Sequence, residues 1–94
     1  MINAKEELLK KAGNARIVWA KVYVEWEDRE DSILKPNHTQ KELEEFLNSL
    51  DFVYNNGYGT DYIGGTVMLS DGSWLERREY DGSEWWEKRH LPTF

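Results

Sequence analysis

Apolar and polar residues alternate with helical spacing at the start of the chain. The apolar residues between positions 4 and 12 recur at intervals that place them on one side of a helix, with lysines and glutamates on the remainder. Asn3 followed by Glu6 has the spacing of a capping box, and Gly13 stands where a left-handed residue ends a helix. The pattern predicts a helix over residues 4–12.

A run rich in β-branched and aromatic residues follows, over residues 16–26, and predicts the first strand. Side chains on a strand alternate between two faces with a period of two. The core face is predicted to carry Val18, Ala20, Val22, Val24 and Trp26, which leaves Ile17 and Trp19 on a half-exposed face. The acidic stretch 25–31 cannot be buried and predicts a solvated strand end and turn.

A second helix is predicted over residues 39–50. Thr39 and Glu42 form a capping box, and four apolar residues repeat behind them at helical spacing. Pro36 separates this helix from the acidic stretch, because the residue before a proline avoids the helical region.

Two Asp-Gly turns divide the C-terminal third into three extended runs, over residues 62–69, 74–80 and 84–90. Each turn is flanked by strand-forming residues, which is the strongest short-range signal of a β-hairpin. We predict a three-stranded antiparallel meander. At the second turn a two-residue connection would set Glu79 opposite Glu84, so a three-residue loop with Arg78 opposite Glu84 is preferred.

These elements predict one α+β domain over residues 1–94, in the order α-β-α-β-β-β. Two short helices pack on an antiparallel sheet of about four strands, and the position of the first strand in that sheet stays open. The predicted core contains Leu8, Val18, Val22, Val24, Leu43, Phe46, Leu47, Val67 and Leu75.

Composition narrows the class of protein. The 94 residues include 18 acidic and 12 basic ones, and the net charge of −6 disfavours direct nucleic-acid binding. The chain has no cysteine, which removes disulfides, thiolate nucleophiles and cysteine zinc sites. No apolar stretch is long enough for a membrane span, and the first 13 residues are too charged for a signal peptide. We therefore expect a cytoplasmic protein.

The thirteen aromatic residues supply the candidate interaction site. Trp85 and Trp86 are adjacent in a strand, so they point to opposite faces and we expect one of them at the surface. An outer indole could simply cover the aliphatic stems of neighbouring cations, or it could anchor a protein interface. The predicted interaction residues are Trp74, Trp85, Trp86, Arg77 and Tyr58.

A second candidate surface is acidic. It comprises Glu25, Glu27, Asp28, Glu30, Asp31, Glu42 and Glu45. Such a surface is either a solvated loop and helix face or a mimic of nucleic-acid phosphates that occupies a basic cleft.

Catalysis finds no support in the sequence. The serines lie in turns without a nucleophile motif, and the glycine-rich loop 55–65 lacks the lysine and helix of a phosphate-binding loop. His38 and His90 lack the spacing of a metal site. We predict no catalytic residues, no cofactor and no metal; a small ligand-binding protein or enzyme that uses loop 55–65 is a further alternative.

The segment 71–87, DGSWLERREYDGSEWWE, together with 55–60 and 63–67, resembles small acidic phage- and prophage-encoded proteins of unassigned function. Short acidic proteins of mobile elements often bind and block a host machine, so the resemblance implies an inhibitor of the anti-restriction or anti-CRISPR kind. The prediction is a non-catalytic protein-binding module, monomeric or homodimeric, whose partner is a host protein or protein–nucleic-acid complex of the bacterial cytoplasm, without a membrane. The leading alternative is the acidic nucleic-acid mimic.

Overall fold

A computed structural model describes residues 1–26, 28–57 and 62–92. These residues form two helices and seven strands: β1 (Ile2–Asn3), α1 (Ala4–Ala12), β2 (Ile17–Val24), β3 (Ser32–Leu34), α2 (Gln40–Ser49), β4 (Val53–Tyr54), β5 (Ile63–Leu69), β6 (Trp74–Tyr80) and β7 (Ser83–Arg89). The predicted α+β class, the two helices and the C-terminal meander are confirmed. The described strands outnumber the prediction by three, because β1, β3 and β4 are too short to show a period in the sequence.

The main sheet has five antiparallel strands in the order β3-β2-β5-β6-β7 among the described residues. The first predicted strand, β2, therefore lies between the edge strand β3 and the meander. Strands β1 and β4 form a separate two-stranded sheet. The start of α1 holds this small sheet together. The first backbone N–H groups of the helix, at Ala4 and Lys5, donate to the carbonyls of Phe52 and Leu50.

The sheet has an inner face, which packs against the helices, and an outer face, which no described helix covers. The core on the inner face contains Leu8, Phe46, Val22, Val67 and Leu75, all buried as predicted. The predicted core residues Val24, Leu43 and Leu47 are partly buried against it.

The prediction is wrong for Val18, which is 36% exposed, and for Ile17, which is buried. The pairing of β2 with β5 shifts between Ile17 and Trp19, so β2 carries one extra residue there. Such a bulge resets the alternation of side chains. As a result Ile17, Ala20 and Val22 share the inner face, and Val18 turns away from it.

The β5–β6 turn is held by Asp71. Its carboxylate accepts hydrogen bonds from the Ser73 backbone N–H, at 2.9 Å, and from the Ser73 hydroxyl. These bonds to the charged form lower the pKa of Asp71 to about 2. Gly72 adopts a φ of 86°, which glycine tolerates without steric cost.

The predicted three-residue loop between β6 and β7 is wrong. Asp81 and Gly82 have φ values of 51° and 85° and form a two-residue turn, which sets Glu79 opposite Glu84. The two carboxylates have different surroundings. Glu84 is buried and ion-paired with Arg77, whereas Glu79 is exposed and accepts a hydrogen bond from the Gly82 N–H. The register places Trp86 inside and Trp85 outside, at 4% and 40% exposure.

None of the described helices is long and apolar enough to cross a membrane.

The register buries Trp86 and leaves Trp85 partly exposed, so the two residues should contribute unequally to the free energy of unfolding. We expect Trp86→Ala to lower the free energy of unfolding by about 3–5 kcal/mol, because it empties a buried site. Trp85→Ala should cost about 1 kcal/mol or less, since its ring borders solvent. Urea unfolding followed by circular dichroism measures both, and equal losses would contradict the register.

Candidate protein-interaction surface

The outer face of the sheet carries aromatic side chains on three of its strands. Alternation along each strand and the pairing between strands assign these residues to it: Trp19 and Tyr23 on β2, Trp74 and Tyr80 on β6, and Trp85 on β7. Tyr80 is 76% exposed and Trp85 is 40% exposed, while the others are half-buried. An open sheet face is usually polar, so this density of aromatic rings is the most unusual feature of the described surface.

Charged residues next to the rings form ion pairs and hydrogen bonds. Arg78 lies directly opposite Trp85 in the β6–β7 pairing, and its Nε is 3.2 Å from the Glu87 carboxylate. Arg89 approaches the same carboxylate at 3.6 Å. The indole N–H of Trp74 donates to Glu76 at 2.8 Å, which holds that ring in one orientation. The rings therefore sit within a framework of short polar contacts.

Glycine shapes the β2–β5 part of this face. A Cβ atom on Gly64 would lie 2.1 Å from the Tyr23 ring, so the ring lies directly against the bare backbone. The ring of Tyr62 lies 6.5 Å from that of Tyr23, measured between centroids. A side chain at position 64 would displace Tyr23 from the face.

Arg77 and Trp86 do not belong to the exposed surface, and the prediction that they contact a partner there is wrong. The side chain of Arg77 is only 1% exposed and Trp86 is 4% exposed. Both residues point to the inner face, where the guanidinium lies 5.2 Å from the Trp86 ring centroid. The predicted contact between a cation and an indole exists, but it is internal.

Arg77 is the centre of a buried polar network. Its guanidinium donates to Glu84 at 2.8 Å and to Glu7 of α1 at 3.1 Å. It also donates to the hydroxyl of Tyr54, which in turn donates to Glu7. Burial and the hydrogen bond to Glu7 raise the pKa of Tyr54 well above its ordinary value, so the hydroxyl stays protonated. The network joins α1 and β4 to the β6–β7 hairpin.

Burial opposes the charge on Arg77, but the hydrogen bond to Glu84 and the charge of Glu7 outweigh it and raise the pKa of the guanidinium. Its Nε atom is buried without a hydrogen-bond partner among the described residues. The rings of Tyr54 and Trp86 enclose the guanidinium, at 5.6 and 5.2 Å from their centroids.

The predicted acidic surface comes together only in part. Glu30 and Asp31 precede β3, and Glu42 and Glu45 lie on α2; all four line one groove of about 280 Å³. Arg29 lies in the same groove and donates to the Ser49 carbonyl at 2.9 Å. Glu25 and Asp28 do not line it.

Three parts of the predicted sites lie outside the described residues: Tyr58, Glu27 and positions 58–61 of the glycine-rich loop. Conversely, the predicted interaction residues did not include Tyr80 and Arg78. The signal for both was the Asp-Gly turn, because a two-residue connection places Arg78 opposite Trp85 on the outer face.

The buried network predicts a large difference between two neighbouring arginines. We expect Arg77→Met to lower the free energy of unfolding by about 3–5 kcal/mol, because it leaves the Glu84 and Glu7 carboxylates without their cation. Arg78→Met removes an exposed ion pair and should cost about 1 kcal/mol or less. Urea unfolding at neutral pH compares the two, and a small loss for Arg77→Met would show that the carboxylates are not held by this charge.

The chain was also compared with known proteins. No protein-family model, curated protein or solved structure matches it. The functional conclusion therefore depends on the geometry of the outer face and on the residues that hold it.

Proposed function

We propose that the chain is a non-catalytic protein-binding module that docks through the outer face of the β6–β7 hairpin. The observation that carries the proposal is the exposure of Tyr80 and Trp85 on one side of a two-residue hairpin, with Arg78 directly opposite Trp85. Tryptophan, tyrosine and arginine are the residues that most often dominate the energy of protein interfaces.

The hairpin also presents these groups in a fixed arrangement. Its inner side is anchored by Trp86 in the core and by the ion pair between Glu84 and Arg77. A rigid surface loses little conformational entropy on binding, which favours affinity. The half-buried Trp74, held by Glu76, extends the aromatic surface along β6.

The proposed partner is a protein, or a protein–nucleic-acid complex, of a host bacterium's defence or regulatory machinery. The proposal is supported by the resemblance of segment 71–87 to phage- and prophage-encoded proteins and by the small, acidic chain. On this proposal the protein acts in the bacterial cytoplasm and inhibits by occupying a surface that its target needs.

The docking proposal is tested by affinity capture followed by measurement with the purified partner. The immobilised wild-type chain is exposed to bacterial lysate, and a reproducibly retained protein is identified and produced. We expect Trp85→Ala and Tyr80→Ala each to weaken its binding by about tenfold or more in calorimetry.

Val53→Ala serves as the matched control, because Val53 is 57% exposed on β4, outside the main sheet. It should change the dissociation constant by less than about twofold. The outer face would be excluded as the docking site if all three variants bound the partner as tightly as the wild type does, or if no partner were captured reproducibly.

A second candidate function is mimicry of a nucleic acid. It is favoured by the groove in which Glu30, Asp31, Glu42 and Glu45 converge from two elements. Carboxylates grouped in this way could occupy a basic channel that normally holds phosphates. The aromatic outer face would then be a secondary contact.

Ionic strength separates the two functions. Docking through aromatic rings should change the dissociation constant little between about 0.05 and 0.5 M salt, whereas mimicry should weaken binding steeply as the charges are screened. The double variant Glu42→Lys and Glu45→Lys should abolish mimicry and leave aromatic docking intact. Steep salt dependence together with loss of binding in this variant would replace the first function by the second.

A further inference from the structure

An open groove lies on the helix side of the sheet, remote from the proposed docking face. Its walls are Leu9 and Ala12 of α1 and Leu43 and Leu47 of α2, and its floor includes Ile17 at the start of β2. The groove exists because the helices pack toward opposite edges of the sheet: α1 contacts β7 and α2 contacts β3.

The groove is large enough and apolar enough for a small molecule. Its volume is about 450 Å³, within the range of about 300–1,000 Å³ typical of small-molecule sites. Leu9 remains 39% exposed and Val18 is 36% exposed, so apolar side chains on both α1 and β2 border open space. The bulge keeps Val18 out of the core, so this side chain is exposed where it lines the groove.

The charge of the groove is opposite to that of the protein as a whole. The chain has 18 acidic residues and a net charge of −6, yet none of the described residues that line the groove is acidic. The permanent charge in the lining belongs to Arg16. Its guanidinium forms no hydrogen bond or ion pair with a described residue, whereas its backbone is fixed by two hydrogen bonds to Ser70, of 2.9 and 2.8 Å.

We propose that this groove binds a medium-chain fatty acid, with the hydrocarbon chain between α1 and α2 and the carboxylate at Arg16. The apolar walls match the chain, and the guanidinium, which has no partner among the described residues, matches the head group. His38 also lines the groove, and its Nδ1 lies 2.8 Å from the Lys35 carbonyl. The inference is independent of the proposed function, since it concerns other residues on the other side of the sheet.

The test uses the full chain and dodecanoate below its micellar concentration, with binding measured by calorimetry and located by methyl chemical shifts. We expect saturable one-to-one binding and shifts confined to methyl groups that line the groove, among them those of Leu9, Leu43 and Leu47. Arg16→Glu should weaken dodecanoate binding by about tenfold or more, and the binding of dodecan-1-ol much less. Arg78→Glu makes the same change of charge on the outer face and should leave dodecanoate binding unchanged.

Leu9→Gln should weaken the binding of both ligands, because it removes part of an apolar wall. Val53→Gln makes the same change at another exposed apolar residue and should leave the binding of both ligands unchanged. Circular dichroism verifies that each variant is folded. The proposal is overturned if binding is not saturable, if Arg16→Glu binds dodecanoate as the wild type does, or if the methyl shifts map to Thr66 and Met68 on the outer face. It is also overturned if sedimentation shows a dimer that Leu9→Gln dissociates, because a second copy of the chain would then fill the groove.

Discussion

The ion pair between Arg77 and Glu84 is the interaction on which the arrangement of the sheet depends. Pairing between β5 and β6 covers only positions 66–68 and 74–76, so the strands separate toward the start of β5. There the Glu84 carboxylate accepts the backbone N–H of Ile63 at 3.0 Å while it binds Arg77 at 2.8 Å. A side chain thus replaces a strand partner. Because a buried N–H without a partner is costly, the carboxylate stabilises the sheet where β5 and β6 separate.

The same interaction sets which tryptophan faces the solvent. A one-residue change of register would exchange the faces of Trp85 and Trp86. Glu84 can reach Arg77 and Ile63 only when it points inward, and Trp86, two residues further on, then points inward as well. The buried charges and the exposed indole are therefore consequences of one register. A contact in the core determines the composition of the outer face.

This coupling shows why the sequence predicts the elements better than the candidate site. Local signals were sufficient for α1, α2 and the meander, since caps, helical spacing and Asp-Gly turns act within a few residues. The register was mispredicted because Glu79 opposite Glu84 is unfavourable when only the two strands are considered. The ion pair that reverses this preference joins Glu84 to Glu7 through Arg77, and Glu7 lies 70 residues before Arg77. The bulge at Val18 likewise depends on the pairing of β2 with β5, which no local pattern in β2 reveals.

Charge is distributed unequally between the two sides of the sheet, and this bears on how one small domain could hold two surfaces. On the outer face the described charges nearly balance, with Lys21, Arg78 and Arg89 against Glu76 and Glu87, so the aromatic rings are accessible without a strong local field. The acidic residues instead concentrate beside β3 and α2, where four carboxylates share one groove. On the helix side, the groove between α1 and α2 is free of acidic residues among those described.

Because the sheet lies between the outer face and this groove, a ligand on one side does not obstruct a partner on the other. Any coupling between them would have to pass through β2, which carries Trp19 and Tyr23 on the outer face and Ile17 in the floor of the groove.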